Sequence, residues 1–181
     1  MSILSVYSVS SPDLPNKVLT HLEDIASTLA DHGILFDRWQ ATTKVVAGAS
    51  QEEVINSYRQ SVDELMTGRG LEAIEVISVN AGFGQQAELR ASLLDERLHD
   101  ADEVRLFVAG RGLLSLHIGD FVYTVQCEKN DRISIPAGTR HWFDLGEQPH
   151  LVAIRLFATS LGAAATMTGD AIASQFPRLD D

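Results

Sequence analysis

Two short segments of the sequence carry side chains suited to a divalent transition metal. One holds His99 and Glu103, spaced His-x-x-x-Glu; the other holds His141, at the end of Pro136-Ala-Gly138-Thr-Arg-His. Neutral imidazole nitrogens with one carboxylate suit iron(II), nickel, manganese or zinc. Two His and one carboxylate on one side of a metal leave positions open for a substrate and O2, which a Lewis-acidic ion can bring together. A His–Glu pair by itself is most often a surface contact. The Pro-x-Gly-x-x-His segment strengthens the metal reading, because each piece precedes or follows a strand as a shared site requires.

The elements that must position these groups follow from local pattern. On a helix His99 and Glu103 would lie one turn apart, but Val104 to Ala109 is strongly β-forming and ends at Gly110, which favours a strand. Strand residues of equal parity point the same way, so Arg97, His99, Glu103 and Arg105 are expected to face one pocket, with Asp100 and Asp102 on the other side. Pro136 ends a strand and Gly138 permits a tight turn, so a hairpin should carry His141, and Phe143 on its parity, opposite His99 and Glu103.

From about residue 103 the texture is of short β-rich runs: EVRLFVAG, GLLSLHIGD, FVYTVQC, RISIPAG and LVAIRLF. Turn signals separate them at Gly110-Arg-Gly, Ile118-Gly-Asp, Lys129-Asn-Asp and Gly146-Glu-Gln-Pro. That rhythm predicts an antiparallel barrel or sandwich. Before it, Leu19, Leu22, Ile25, Ala26 and Leu29 recur at helical spacing up to Gly33. Residues 34–39 alternate like a strand. Ser50 and Glu53 form a capping box, opening one helix with Val54, Tyr58, Val62 and Leu65 on a face. Ala73 to Val79 reads as a strand and Gln85 to Leu94 as a helix; helical character returns near Asp170 to Ser174. The expectation is an α+β chain folding as a single domain over 1–181. It comprises a helical and mixed flank at about 1–95, a barrel core at about 96–160 and a C-terminal tail at 161–181.

The formal net charge of −11 argues against nucleic acid and against an anionic membrane surface as partners. The one cysteine, Cys127, excludes an internal disulfide or a Cys-based metal cluster. No stretch approaches the roughly 20 apolar residues of a membrane span. The N-terminus lacks a basic region and a continuous apolar run, so a cytoplasmic protein is expected. His117 reads as structural, His21, His32 and His150 as solvated, Cys127 as a small buried hydrophobe, and Trp39 and Trp142 as packing aromatics. Arg105 and Arg155 have the parity to face the pocket, against the alternative of structural ion pairs.

The motifs also resemble a known family. Arg97 to Gly110, RLHDADEVRLFVAG, is similar to the first cupin motif, with His99, Glu103 and Gly110 at its spacing, and PAGTRH (136–141) is similar to the second. More narrowly, the chain resembles bacterial acireductone dioxygenases of methionine salvage over nearly its whole length. DRWQ (37–40), DEVR (102–105), LHIGD (116–120), CEKND (127–131), HWFD (141–144), AIRLF (153–157) and TGDAIASQFPRL (168–179) carry the likeness. The resemblance implies a cupin-type antiparallel β-barrel (jelly roll) with flanking N-terminal helices and strands. It implies use of Fe(II) or Ni(II) to cleave a small-molecule 1,2-dihydroxy-3-keto enediol with O2; a monomer is expected. In the family iron yields formate and a 2-keto acid, and nickel yields carbon monoxide and a shorter acid. The family's metal ligands, three His and one Glu, fall on Arg97, His99, Glu103 and His141. Its substrate-contacting residues fall on Arg105, Arg155 and Phe143.

Three positions depart from the family pattern. Arg97 stands where the first His ligand would be, Leu161-Gly162-Ala163 where a Trp follows a Glu-Gly turn, and Leu93 where a Phe precedes the first motif. Guanidinium offers no lone pair to a metal. Arg97 can swing outward and leave a three-residue metal site, turn inward onto Glu103 and leave the metal weakly held or absent, or bind an anionic group beside Arg105 and Arg155. Asp95 lies too far back along a strand to substitute. An acireductone dioxygenase-like enzyme leads; a diverged cupin acting on another substrate and a non-catalytic binding protein are the alternatives.

Overall fold

Strand parity explains most of the architecture. The computed structural model describes residues 1–82 and 84–181. Eleven strands are described: β1 (Ile3–Ser8), β2 (Lys17–Leu19), β3 (Leu35–Arg38), β4 (Ala73–Val79), β5 (Arg97–Leu98), β6 (Glu103–Ile118), β7 (Phe121–Glu128), β8 (Asp131–Ile135), β9 (Arg140–Asp144), β10 (Leu151–Phe157) and β11 (Thr166–Met167). The helices are α1 (Leu22–Ala30), α2 (Gln51–Ser57), α3 (Arg59–Arg69) and α4 (Gln86–Leu93), with a short 3-10 helix at Ile172–Gln175. The result is the expected α+β architecture built on an antiparallel barrel.

One layer runs β11-β5-β9-β6-β7-β1-β2 and the other β4-β10-β6-β8-β3, all antiparallel. β6 belongs to both: its first half pairs with β8 and β10, its second with β7 and β9. The Gly110-Arg111-Gly112 segment was expected to be a turn between two strands; instead it is a bend inside one. Gly110 has φ 72°, and a Cβ there would meet the His150 carbonyl oxygen at 1.8 Å. Glycine therefore lets the strand turn the barrel corner where another backbone closes in.

Three apolar layers follow. Between the sheets lie Leu4, Phe107, Leu114, Val125, Ile133 and Phe143, capped by Ile25 and Leu29 of α1. Outside β6 and β10, Val104, Leu106, Val108, Val152, Ile154 and Leu156 pack under Val54, Tyr58 and Val62 of the helices. Outside β7 and β9, Val122 and Trp142 meet Ile172, Ala173 and Phe176 of the tail. This is why β6 and β10 read as unbroken hydrophobic runs: both faces are covered.

Ser50 caps α2 as expected, its Oγ accepting from the Glu53 N–H at 3.2 Å. The single helix expected through Leu65 is broken at Tyr58, whose φ −124° and ψ 24° leave the helical region while its hydroxyl donates to the Thr43 carbonyl. β1 and β4, in the stretch read as flank, are hydrogen-bonded into the two layers. Among the described residues no helix is long and apolar enough to cross a membrane.

Candidate active site

Inward parity brings the ionisable groups together. On β6 the covered outer face takes Val104 and Leu106, so Glu103 and Arg105 turn inward; on β10 Val152 and Ile154 face out, so Arg155 turns inward. Arg155 stands directly across from Arg105 in the register. Like charges facing each other in a buried sheet need a shared counter-ion, and Glu103 supplies it. Trp142 packs outward against the tail, leaving His141 and Phe143 on the inner face of β9.

His99 arrives differently from expectation. Residues 99–102 do not continue a strand but turn between β5 and β6. That turn is tied to the 136–139 segment: the Gly138 N–H donates to the His99 carbonyl at 2.8 Å and the Ala137 N–H to Asp102 Oδ1 at 2.8 Å. β8 and β9 are also not a paired hairpin. Both pair with β6, at opposite ends, so the chain crosses between layers at Pro136 to Thr139. The crossing still delivers His141 beside His99, their ring centroids 5.1 Å apart.

Backbone carbonyls fix both imidazoles. His99 Nδ1 lies 3.1 Å from the Ala164 carbonyl oxygen and His141 Nδ1 lies 2.8 Å from that of Thr139. A carbonyl only accepts, so each Nδ1–H donates and each Nε2 keeps its lone pair, the arrangement of metal-binding histidines. His141 Nε2 is buried and has no partner among the described residues. Burial, reinforced by Arg105, pushes the His141 imidazole down to about 3; burial also lowers His99. Both rings are therefore neutral donors at neutral pH.

Glu103 is 1% exposed. Arg105 Nε donates to its Oε1 at 2.5 Å, and Arg155 Nη2 lies 3.4 Å from Oε1 and 3.3 Å from Oε2. Burial would raise this carboxyl, but the guanidiniums of Arg105 and Arg155 overcome it and hold it well below the usual carboxylate range. Arg155 Nη2 is also 3.4 Å from His99 Nε2. A cationic group thus bridges His99 and Glu103, where a divalent ion would contact the same two side chains. With Glu103 drawn to the arginines, no three His, Cys, Asp or Glu side chains close into a ready cage among the described residues. The donor set nonetheless fits a divalent metal: two lone-pair nitrogens, one of them orphaned, beside an ionised carboxylate.

His99, His141, Arg105, Arg155 and Phe143 line a cavity of about 170 Å³. Arg97, Leu93 and Ala163 form part of its wall. Arg97 does not pair with Glu103; Nε donates to the Asp95 carbonyl at 3.2 Å and Nη2 to the Ser92 carbonyl at 2.5 Å. A larger cavity of about 620 Å³ lies between α3 and Trp39, away from these residues. Phe143 underlies Arg105, whose Cζ is 5.1 Å from the ring centroid. Parity reasoning did not single out Phe157, though it shares the parity of Arg155: its ring lies 5.0 Å from Arg155 Cζ and edge-on to His99. The carbonyls of Thr139 and Ala164 carry no sequence signal at all.

The quieter readings find their places. His117 pairs with buried Glu96 at 2.6 Å, Cys127 is fully buried with its thiol pushed up, and Trp142 is packed. His32, expected to be solvated, is exposed but lies with Nε2 2.8 Å from the Tyr123 hydroxyl.

The chain is similar to known proteins both in sequence and in fold. The model of the ARD/ARD' family matches residues 7–165. Curated relatives named acireductone dioxygenase include those of Pseudomonas syringae pv. syringae, 66% identical, and Pseudomonas fluorescens, 65% identical, with each alignment covering 100% of both chains. Among solved structures, acireductone dioxygenase from Bacillus anthracis with cadmium ion in its active centre is similar at TM-score 0.78 and 25% identity, over 92% of this chain and 98% of that one. The chain belongs to the ARD/ARD' family.

Proposed function

We propose that this protein is a metal-dependent dioxygenase of the acireductone type, cleaving a 1,2-dihydroxy-3-keto enediol with O2. The observation that carries the proposal is the pair of neutral imidazoles aimed by carbonyls beside Glu103, with His141 Nε2 buried and without a partner. His99, Glu103 and His141 would hold the metal, iron(II) or nickel(II). When bound, such an ion supplies Lewis-acid activation of enediol and O2 at one centre.

The remaining chemistry belongs to the chain. Arg105 and Arg155 face the ligand cavity and stabilise negative charge on the enediolate oxygens, as preorganised cations do. Phe143 supports Arg105 from below. Thr139 and Ala164 hold the two imidazoles in the tautomer that leaves Nε2 free. Were Glu103 to hold a metal, the Arg155 contacts at 3.3 and 3.4 Å would be the longer ones to give up, and its guanidinium would be available to the enediolate.

Elemental analysis of freshly purified protein for iron and nickel, followed by oxygen uptake on an acireductone, tests this. Near one metal per chain with turnover supports it. A protein that is metal-free and resists reconstitution overturns it. That second outcome would favour a non-catalytic binding protein, a reading supported by the guanidiniums already engaging Glu103.

A further inference from the structure

We infer that the cavity beside His99 and His141 selects an acidic enediol, one bearing a carboxylate or phosphate in addition to the enediol itself, and that Arg97 is the residue that recognises the extra anionic group. The inference rests on the proposed enediol chemistry of this site and specifies its substrate class.

The argument is one of charge balance in a small buried space. Three arginines, Arg97, Arg105 and Arg155, line a cavity of about 170 Å³ that has no carboxylate in its wall among the described residues. Glu103 is the carboxylate that answers them, and it is already engaged by both Arg105 and Arg155. Two buried N–H groups of these arginines, Arg105 Nη1 and Arg155 Nε, have no hydrogen-bond partner among the described residues. A buried donor left unpaired is costly, and charged donors more so. An anionic ligand with several acceptor oxygens removes that cost.

Arg97 extends the positive field to the cavity wall. Its Nε and one terminal nitrogen are pinned on the carbonyls of Asp95 and Ser92, which fixes the guanidinium without neutralising it. Asp95 is exposed and forms no ion pair with it among the described residues. Arg97 therefore stands as a preorganised cation facing a pocket that already holds two others. Enediolate oxygens engaged by Arg105 and Arg155 leave the Arg97 charge unanswered. Leu93 and Ala163 add apolar surface to the same wall. The modest volume restricts the ligand to a short carbon skeleton.

Two probes separate the charge from the enediol. Dihydroxyfumarate is an enediol carrying carboxylates; reductic acid is an enediol ketone without another acidic group. Calorimetric titration of the full chain under anaerobic conditions should show dihydroxyfumarate binding at least tenfold more tightly. Arg97→Leu should remove at least tenfold of that affinity while changing reductic acid binding less than twofold, and Arg97→Lys should restore part of the difference. If Arg97→Leu does not fold, the ranking of the two probes on the unaltered chain, and its collapse in high salt, decide the matter. Equal affinity for the two probes, no binding of dihydroxyfumarate, or equal loss of both in Arg97→Leu overturns the inference. Oxygen uptake on reductic acid by the same sample reports separately on the proposed enzymatic reading.

Discussion

Replacing Glu103 by Gln keeps the shape of the side chain and removes the charge shared by two buried guanidiniums. Each contact, at roughly 3 Å and an effective dielectric near 20, is worth about 4–6 kcal/mol before desolvation is counted. The net effect is smaller, because the ions were taken out of water to make it. Breaking a buried pair from one side costs about 3–5 kcal/mol. Here Arg105 and Arg155, 2% and 6% exposed, would face each other across the register with no anion between them. For a chain of this size each kcal/mol moves the midpoint by about 2–4 °C, so a fall of roughly 6–20 °C is expected. Differential scanning calorimetry in the presence of a chelator, which removes any metal contribution, measures it. Adding Arg105→Met to Glu103→Gln should recover at least half of the loss, since one of the stranded cations is gone. A single-variant fall below about 2 °C, or no recovery in the double variant, would refute the ion-pair account.

Four further outcomes are expected. His141→Ala should abolish stoichiometric iron or nickel by elemental analysis, and retained metal would place the site elsewhere. Arg97→His should raise metal affinity at least tenfold in chelator competition, because it adds a neutral donor and removes a local cation; unchanged affinity would mean the position does not reach the metal. Gly112→Ala should lower turnover with little change in fold, since its Cβ would lie 2.3 Å from Phe143 Cζ and push that ring from under Arg105. Asp144 is raised by burial but lowered further by the two-point Arg90 contact at 2.7 and 3.2 Å and by the N–H groups of Leu179 and Gly146, so its folded pKa is depressed. Its stabilisation is complete above the ordinary aspartate range and disappears as pH falls through the lower folded value; Asp144→Asn should flatten that acid limb of the melting curve.

Much of the site was legible because burial on both sides of β6, β9 and β10 makes parity informative. Once Val104, Ile154 and Trp142 must face covering layers, Glu103, Arg105, Arg155, His141 and Phe143 have one direction left. The errors share a different origin. Gly110 and Gly112 look like a turn locally, and only the approach of the His150 carbonyl and the Phe143 ring, distant in sequence, makes them a bend. Parity alone does not place His99, because contacts at Gly138 and Asp102 hold it in a turn. Tyr58 breaks a helix through a hydroxyl contact with Thr43 that periodicity does not encode. The direction of Arg97 rested on two backbone carbonyls, which no residue type announces.

The placement of β1 has a consequence for synthesis of the chain. Ser5 stands across from Thr124, 119 residues later, and β6 finds its four partners in β7 through β10, all made after it. A ribosome emitting this sequence from the N-terminus therefore releases β1 and its neighbour β2 long before β7, which pairs with the other edge of β1, exists. Loop closure over such a distance must precede its reward, which slows folding and leaves an unpaired strand open to other chains. The exposed Lys17, in the edge strand β2, places a charge where two nascent copies would otherwise zip together.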